Sequence, residues 1–294
     1  MNRVIEEMAR VYPQLYLVPG EEGAQEAYAR IVRRGEDAPS HAAGHFRGSS
    51  QDRIDVEKTP AGEVLAVTLG DRHDFELFLQ IMANRCADVE IPATQGASIL
   101  DGVINWPKIR AHKATFFANG GMPFAWNEEF KRFTAEPANY KDALIVLSTG
   151  PYSAVQAEET GLSEQAWLKA SYQIRKAHEC THFICRRLFP DKINVIWDEV
   201  AADAVGLYSA FGTYQLRLAE RFLGITPEGR YTGGRLENYA GHENLDSLAV
   251  KVHQTLLHLE KVIQEAANGN PYELAVRLEE ELPFWMKLTA DSTK

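Results

Sequence analysis

The stretch Ala177-His178-Glu179-Cys180-Thr181-His182 constrains this 294-residue chain more than any other. It spells H-E-x-x-H inside a segment with helical signals at both ends. Ser163 can cap the start, and Pro190 must stop the helix after about Leu188. Imidazoles four residues apart on a helix share one face, so His178 and His182 can hold one zinc ion, with Glu179 beside them as general base. Trp167, Ala170, Ile174, Ala177, Thr181 and Cys185 lie on or beside that face. The histidines therefore point into the protein, and the fold must bury them.

A second helix is expected to start near Asp191 or Asn194 and to run toward Gly224. It carries Glu199 and Asp203 one turn apart, with Gly206 on the same face. The short Phe189-Pro190-Asp191 turn favours antiparallel neighbours, and glycine at 206 lets the two backbones approach closely. Imidazoles and carboxylates near the middles of two apolar helices are costly to bury as uncompensated charge. A divalent cation offsets that cost.

Together, H-E-x-x-H and E-x-x-x-D resemble the gluzincin, or thermolysin-like, kind of zincin zinc metallopeptidase over residues 176–206. The resemblance implies that Glu199 is the third zinc ligand and that Asp203 orients His178 from behind. It also implies that a His or Tyr downstream of E-x-x-x-D donates to charge developing on the substrate. His242 is the first choice in the 230–242 loop, which also carries Arg235, and Tyr239 and Tyr231 are the alternatives. Asp198, Asp203 and Cys185 compete with Glu199 for the third position. Asp198 points about 100° away around the helix and is expected to be solvated or capping.

The chemistry implied is hydrolysis of a peptide bond by a zinc-activated water, with Glu179 moving its proton to the leaving amine. Two other readings stay open. One is a deformylase-like amidase using Cys86 or Cys185 as a ligand. The other is a non-catalytic protein in which zinc serves as a structural clip for an interaction or regulatory role. His41 and His45 form another i, i+4 pair, but Pro39, Gly44 and Gly48 surround them and no obvious third ligand follows.

The acidic balance, 41 Asp and Glu against 31 Lys and Arg for a net charge of -10, repels phosphate backbones. Nucleic acid is therefore not an expected partner, whereas a peptide or protein substrate suits. The first twenty residues mix Arg3, Glu6, Glu7 and Arg10 with apolar positions, which argues against a signal peptide. No window approaches eighteen apolar residues, so no membrane association is expected. Three cysteines without a pairing pattern fit a reducing, cytoplasmic setting.

The expected fold class is α+β and zincin-like. Residues 1–160 should form an N-terminal α/β part with a small mixed sheet, and 161–294 a mainly helical part with the H-E-x-x-H helix. The two would make one catalytic unit, with zinc between them. Short amphipathic helices are expected at 5–10 and 22–34, a hairpin over 53–57 and 63–69, and a helix over 71–85. Residues 86–124 have too weak a pattern for residue-level expectations, and the 117–124 run has the composition of a loop. The strongest strand is 143–148, Ala-Leu-Ile-Val-Leu-Ser. By the resemblance it is the sheet edge along which an extended peptide lies, the alternative being a buried central strand. Helices are expected over 245–266 and from Asn270-Pro271 to about Leu282.

Overall fold

A computed structural model describes residues 3–279, apart from 40, 42, 192, 193, 267 and 268. The chain divides into two compact units. The first holds Met1–Asp55, Leu65–Pro92 and Ser98–Ser148, and the second holds Val56–Val64, Ala93–Ala97 and Thr149–Lys294. Secondary structure is mixed α+β, with one small sheet and many helices.

In chain order the first half contains α1 (Arg3–Val11), α2 (Ala24–Arg34), β1 (Arg53–Thr59), β2 (Gly62–Leu69), α3 (Arg72–Met82), β3 (Ala97–Ile104), α4 (Trp106–Ala118), α5 (Trp126–Thr134) and β4 (Lys141–Ser148). The four strands form one sheet in the order β1-β2-β4-β3. Only Pro60 and Ala61 separate β1 from β2, a connection short enough for an antiparallel hairpin alone. β2 and β4 pair in parallel, from Leu65 opposite Leu144 to Leu69 opposite Ser148.

β4 is therefore an interior strand, bonded on one side to β2 and on the other to β3. The expectation that it forms a substrate-binding sheet edge is corrected, because it has no free edge to offer. Leu144, Ile145, Val146 and Leu147 are all fully buried, which explains the unbroken apolar run: a strand covered on both faces has no polar alternation. The core of the first unit gathers Ile5, Met8, Leu15 and Ile31 with Phe75, Phe78, Leu79, Leu144 and Val146.

The second unit is built from α6 (Glu164–Leu188), α7 (Val195–Phe211), α8 (Leu216–Leu223), α9 (Leu245–Ala266) and α10 (Pro271–Leu278). α6 begins where Ser163 accepts a hydrogen bond from the Ala166 amide, and it ends before Pro190. Asn194 caps α7 by accepting from the Trp197 amide. That helix stops at Gly212 rather than continuing toward Gly224. Gly212 has φ +70, the left-handed conformation that closes a helix and that a glycine adopts without strain. Asn270 caps α10 on the Tyr272 amide, while the expected end near Leu282 lies outside the described residues.

Among the described residues α6 and α7 are the most extensively packed pair of elements. Trp167, Ile174, Trp197, Val205, Phe222, Leu248 and Leu256 fill the core around them. At Gly206 an added Cβ would lie 2.8 Å from the Ile174 carbonyl oxygen, so glycine is what lets these backbones come so close. Among the described residues no helix is long and apolar enough to cross a membrane.

Candidate metal centre

His178 and His182 are both buried on α6, and their Nε2 atoms lie 2.9 Å apart. Glu199 of α7 reaches the same point, with Oε2 3.6 Å from His178 Nε2 and Oε1 3.5 Å from His182 Nε2. Ligand atoms about 2.0–2.1 Å from a tetrahedral zinc are separated by roughly 3.3 Å, which is the scale of this triangle. All three groups belong to the second unit.

What fixes the two rings is a carboxylate behind each one. His178 Nδ1 lies 3.0 Å from Asp203 Oδ1, and His182 Nδ1 lies 2.9 Å from Asp198 Oδ2. A nitrogen bonded to a carboxylate oxygen must be the donor, so each Nδ1 carries a proton and each Nε2 is the nitrogen left to bind a metal. In the metal-free protein a proton on His182 Nε2, 2.9 Å from His178 Nε2, relieves the crowding of these ligand atoms, and a divalent cation at the centre would take its place. The donor set thus fits a divalent metal ion on chemical as well as geometric grounds.

The register of the two helices explains both pairings. Contacts run from His182 with Asp198, through His178 with Asp203, to Ile174 beside Gly206 and Gln173 with Ser209. Rising numbers on α7 meet falling numbers on α6, so the helices are antiparallel. Asp198, one residue before Glu199, faces the histidine one turn farther along. The expectation that Asp198 is solvated or capping is corrected here: angle around its own helix does not decide its partner when the facing helix brings His182 alongside.

Asp203 is the most heavily bonded carboxylate of the site. Tyr152 donates its hydroxyl to Oδ1 at 2.7 Å, and Arg235 forms a close ion pair with Oδ2. Arg235 also reaches the Tyr152 hydroxyl at 3.3 Å. Burial alone would raise the Asp203 carboxyl, but the Arg235 charge and the His178 hydrogen bond hold it well below its ordinary value. Asp198 shows the same contest on a smaller scale, burial being outweighed by the His182 bond and charge. Burial pulls the His182 imidazole down, yet the Asp198 bond and charge with neighbouring carboxylates push it up to about 9. Four carboxylates, Glu179, Asp198, Glu199 and Asp203, share this region with the Arg235 guanidinium and a His182 that is charged at neutral pH, and Arg186 adds its charge near Asp198, so carboxylates outnumber cations there.

Of the residues chosen from the sequence, Glu179 lies next to His178, buried, with no hydrogen bond or ion pair recorded for its carboxylate among the described residues. Tyr239 donates its hydroxyl to Glu199 Oε2 at 2.9 Å and so stands at the site. Its own proton is held more tightly than usual, chiefly by burial. Tyr231 is turned to its own loop, donating to Gly234 O and Glu237. His242 is exposed.

Cys185 donates to Glu279 at 3.4 Å, and Cys86 is a buried thiol of the first unit, so neither joins the triangle. Asp71, His73 and Asp74 form the other group of ligand-type side chains among the described residues. Two of the three already serve the backbone: Asp71 caps α3, and Asp74 accepts from the Arg47 and Gly48 amides.

Tyr152 and the role of Arg235 had no signal in the sequence, since they lie far from the motif along the chain. Asp198 did have one, a carboxylate on either flank of Glu199, at -1 and +4. With the geometry in place, comparison with known proteins adds one match. A family described as being of unknown function (DUF7005) matches residues 4–277. No curated protein and no solved structure matches.

Proposed function

The chain belongs to this family of unknown function, DUF7005, and we propose that it is a zinc-dependent hydrolase, specifically a metallopeptidase of gluzincin type. The observation that carries the proposal is the convergence of His178 Nε2, His182 Nε2 and the Glu199 carboxylate, with both outer nitrogens committed to carboxylates. Three side-chain ligands leave a fourth position open, as catalytic zinc sites do and closed structural sites do not.

Bound there, zinc would supply a Lewis acid and a water whose pKa falls toward about 7. Glu179, adjacent to His178 on the helix, takes the proton from the attacking water and delivers it to the leaving nitrogen. Tyr239 is the donor at the rim of the site that can turn to the oxyanion of the substrate. Asp203 and Asp198 keep the two imidazoles in one tautomer and one orientation, and Arg235 and Tyr152 hold Asp203 ionised and in place. The acidic surface favours neutral or basic peptides, and the free thiols of Cys86, Cys180 and Cys185 support a cytoplasmic setting.

A digest of a broad peptide library by the zinc-loaded protein tests this reading, with Glu179→Gln as the control. Cleavage by the natural protein, lost by at least about 10²-fold in a Glu179→Gln variant that keeps fold and zinc, is the expected result. A protein that holds zinc but cleaves nothing and binds no hydroxamate would instead be using the ion as a structural clip.

A further inference from the structure

The helical hairpin of the first unit, α4 and α5 with the turn between them, carries apolar side chains that its unit does not use. Across Trp106–Ala118 and Trp126–Thr134 only Ile109 is buried. The Trp126 ring packs against Phe116 and Phe130, each centroid 5.8 Å away, and His112 stacks on Phe133 at 4.0 Å. None of these rings enters the core of the first unit. At the turn Phe124 is 82% exposed, Met122 55% and Phe117 37%.

The turn is tight, the Gly120 amide donating to the Phe117 carbonyl and the Gly121 amide to the Phe116 carbonyl. Gly120 has φ +85, and a Cβ at Gly121 would run into the Phe116 ring. The aromatic cluster thus supports a protruding apolar tip rather than lining a groove. Charge follows the same division. Over the whole hairpin, 106–134, Lys108, Arg110, Lys113, Lys131 and Arg132 outnumber Glu128 and Glu129, a local positive excess in a protein that as a whole is at -10, although Lys108 is paired with Asp142, Arg110 with Asp37 and Arg132 with Glu129. Lys113 sits 5.3 Å from the centre of the Trp126 ring, beside the aromatic cluster.

We propose that this hairpin is a docking surface for an anionic lipid bilayer. Phe124, Met122 and Phe117 enter the boundary between headgroups and acyl chains, while Lys113, beside the aromatic cluster, faces the headgroups. A penetrable medium suits an exposed apolar tip, and aromatic and Met side chains backed by Lys and Arg are what interfacial anchors present. Anionic lipid attracts the locally basic hairpin and not the acidic remainder, so binding is oriented and salt-sensitive. This revises the expectation of no membrane association. The chain lies on the surface without spanning it.

Co-sedimentation of the full chain with vesicles of phosphatidylcholine containing about one third phosphatidylserine tests the proposal. Binding should weaken when phosphatidylserine is omitted, and Phe124→Ser with Met122→Ser should weaken it by about tenfold or more. Trp126 fluorescence should shift to the blue on binding in the natural protein only. These tip residues are exposed, so an unchanged circular dichroism spectrum confirms that the variant folds. No binding to the mixed vesicles overturns the proposal, as does binding that the double variant leaves intact. A concentration-dependent dimer abolished by the same substitutions would assign the tip to a second copy of the chain and equally overturn it.

Discussion

Asp198 accepts a hydrogen bond from His182 at 2.9 Å, and this places a carboxylate behind the second histidine of the motif just as Asp203 stands behind the first. Both rings are thereby locked with Nε2 facing Glu199. Asp198→Asn should therefore weaken zinc binding about 10- to 100-fold, much as Asp203→Asn should, because each removes an outer partner of a ligand. Competition against a fluorescent chelator measures it. Natural affinity in Asp198→Asn would mean that the bond does not orient His182.

The same pair sets a pH dependence. Folding raises His182 from its ordinary value of about 6.5 to about 9 in the metal-free protein. The bound proton therefore adds stability that is complete below about pH 6.5 and lost as pH rises through about 9. Zinc must displace that proton, so its affinity should climb about tenfold per pH unit over this window. Chelator competition at several pH values checks the slope, which Asp198→Asn should flatten. A flat profile in the natural protein would show His182 already neutral.

Tyr239, not His242, is the residue whose loss should slow turnover. Tyr239→Phe should lower kcat about 10²- to 10³-fold with little change in KM and with zinc retained, as expected for a donor to the oxyanion. His242→Ala, at an exposed position, should act like the natural protein. Steady-state kinetics on any cleaved peptide decides it, and the reverse pattern would move the donor role to His242.

Much of the α6 and α7 geometry was legible in the sequence because its signals are local. Ser163, Pro190 and Asn194 mark helix ends, the i, i+4 histidines mark a face, and Gly206 marks a close approach. Pairings that depend on the register of one helix against another were not legible. Asp198 looked idle from its angle on α7 alone, and Tyr152 and Arg235 reach Asp203 from 51 and 32 residues away. The 143–148 run was read correctly as a strand, but burial on both faces, rather than an edge position, was the physical meaning of its unbroken apolarity. α4 escaped notice for the opposite reason. With only Ile109 buried it has no apolar period to detect, which is the same property that leaves its hairpin free to bind something else.

The most direct test of the metal centre is zinc content by elemental analysis of the purified protein and of its Glu199→Ala and His178→Ala/His182→Ala variants. About one zinc per chain in the natural protein, falling nearly to zero in both variants with the fold intact, is the result that three converging ligands require. Full zinc occupancy in the His178→Ala/His182→Ala protein, or retention without Glu199, would contradict the assignment and the gluzincin reading with it.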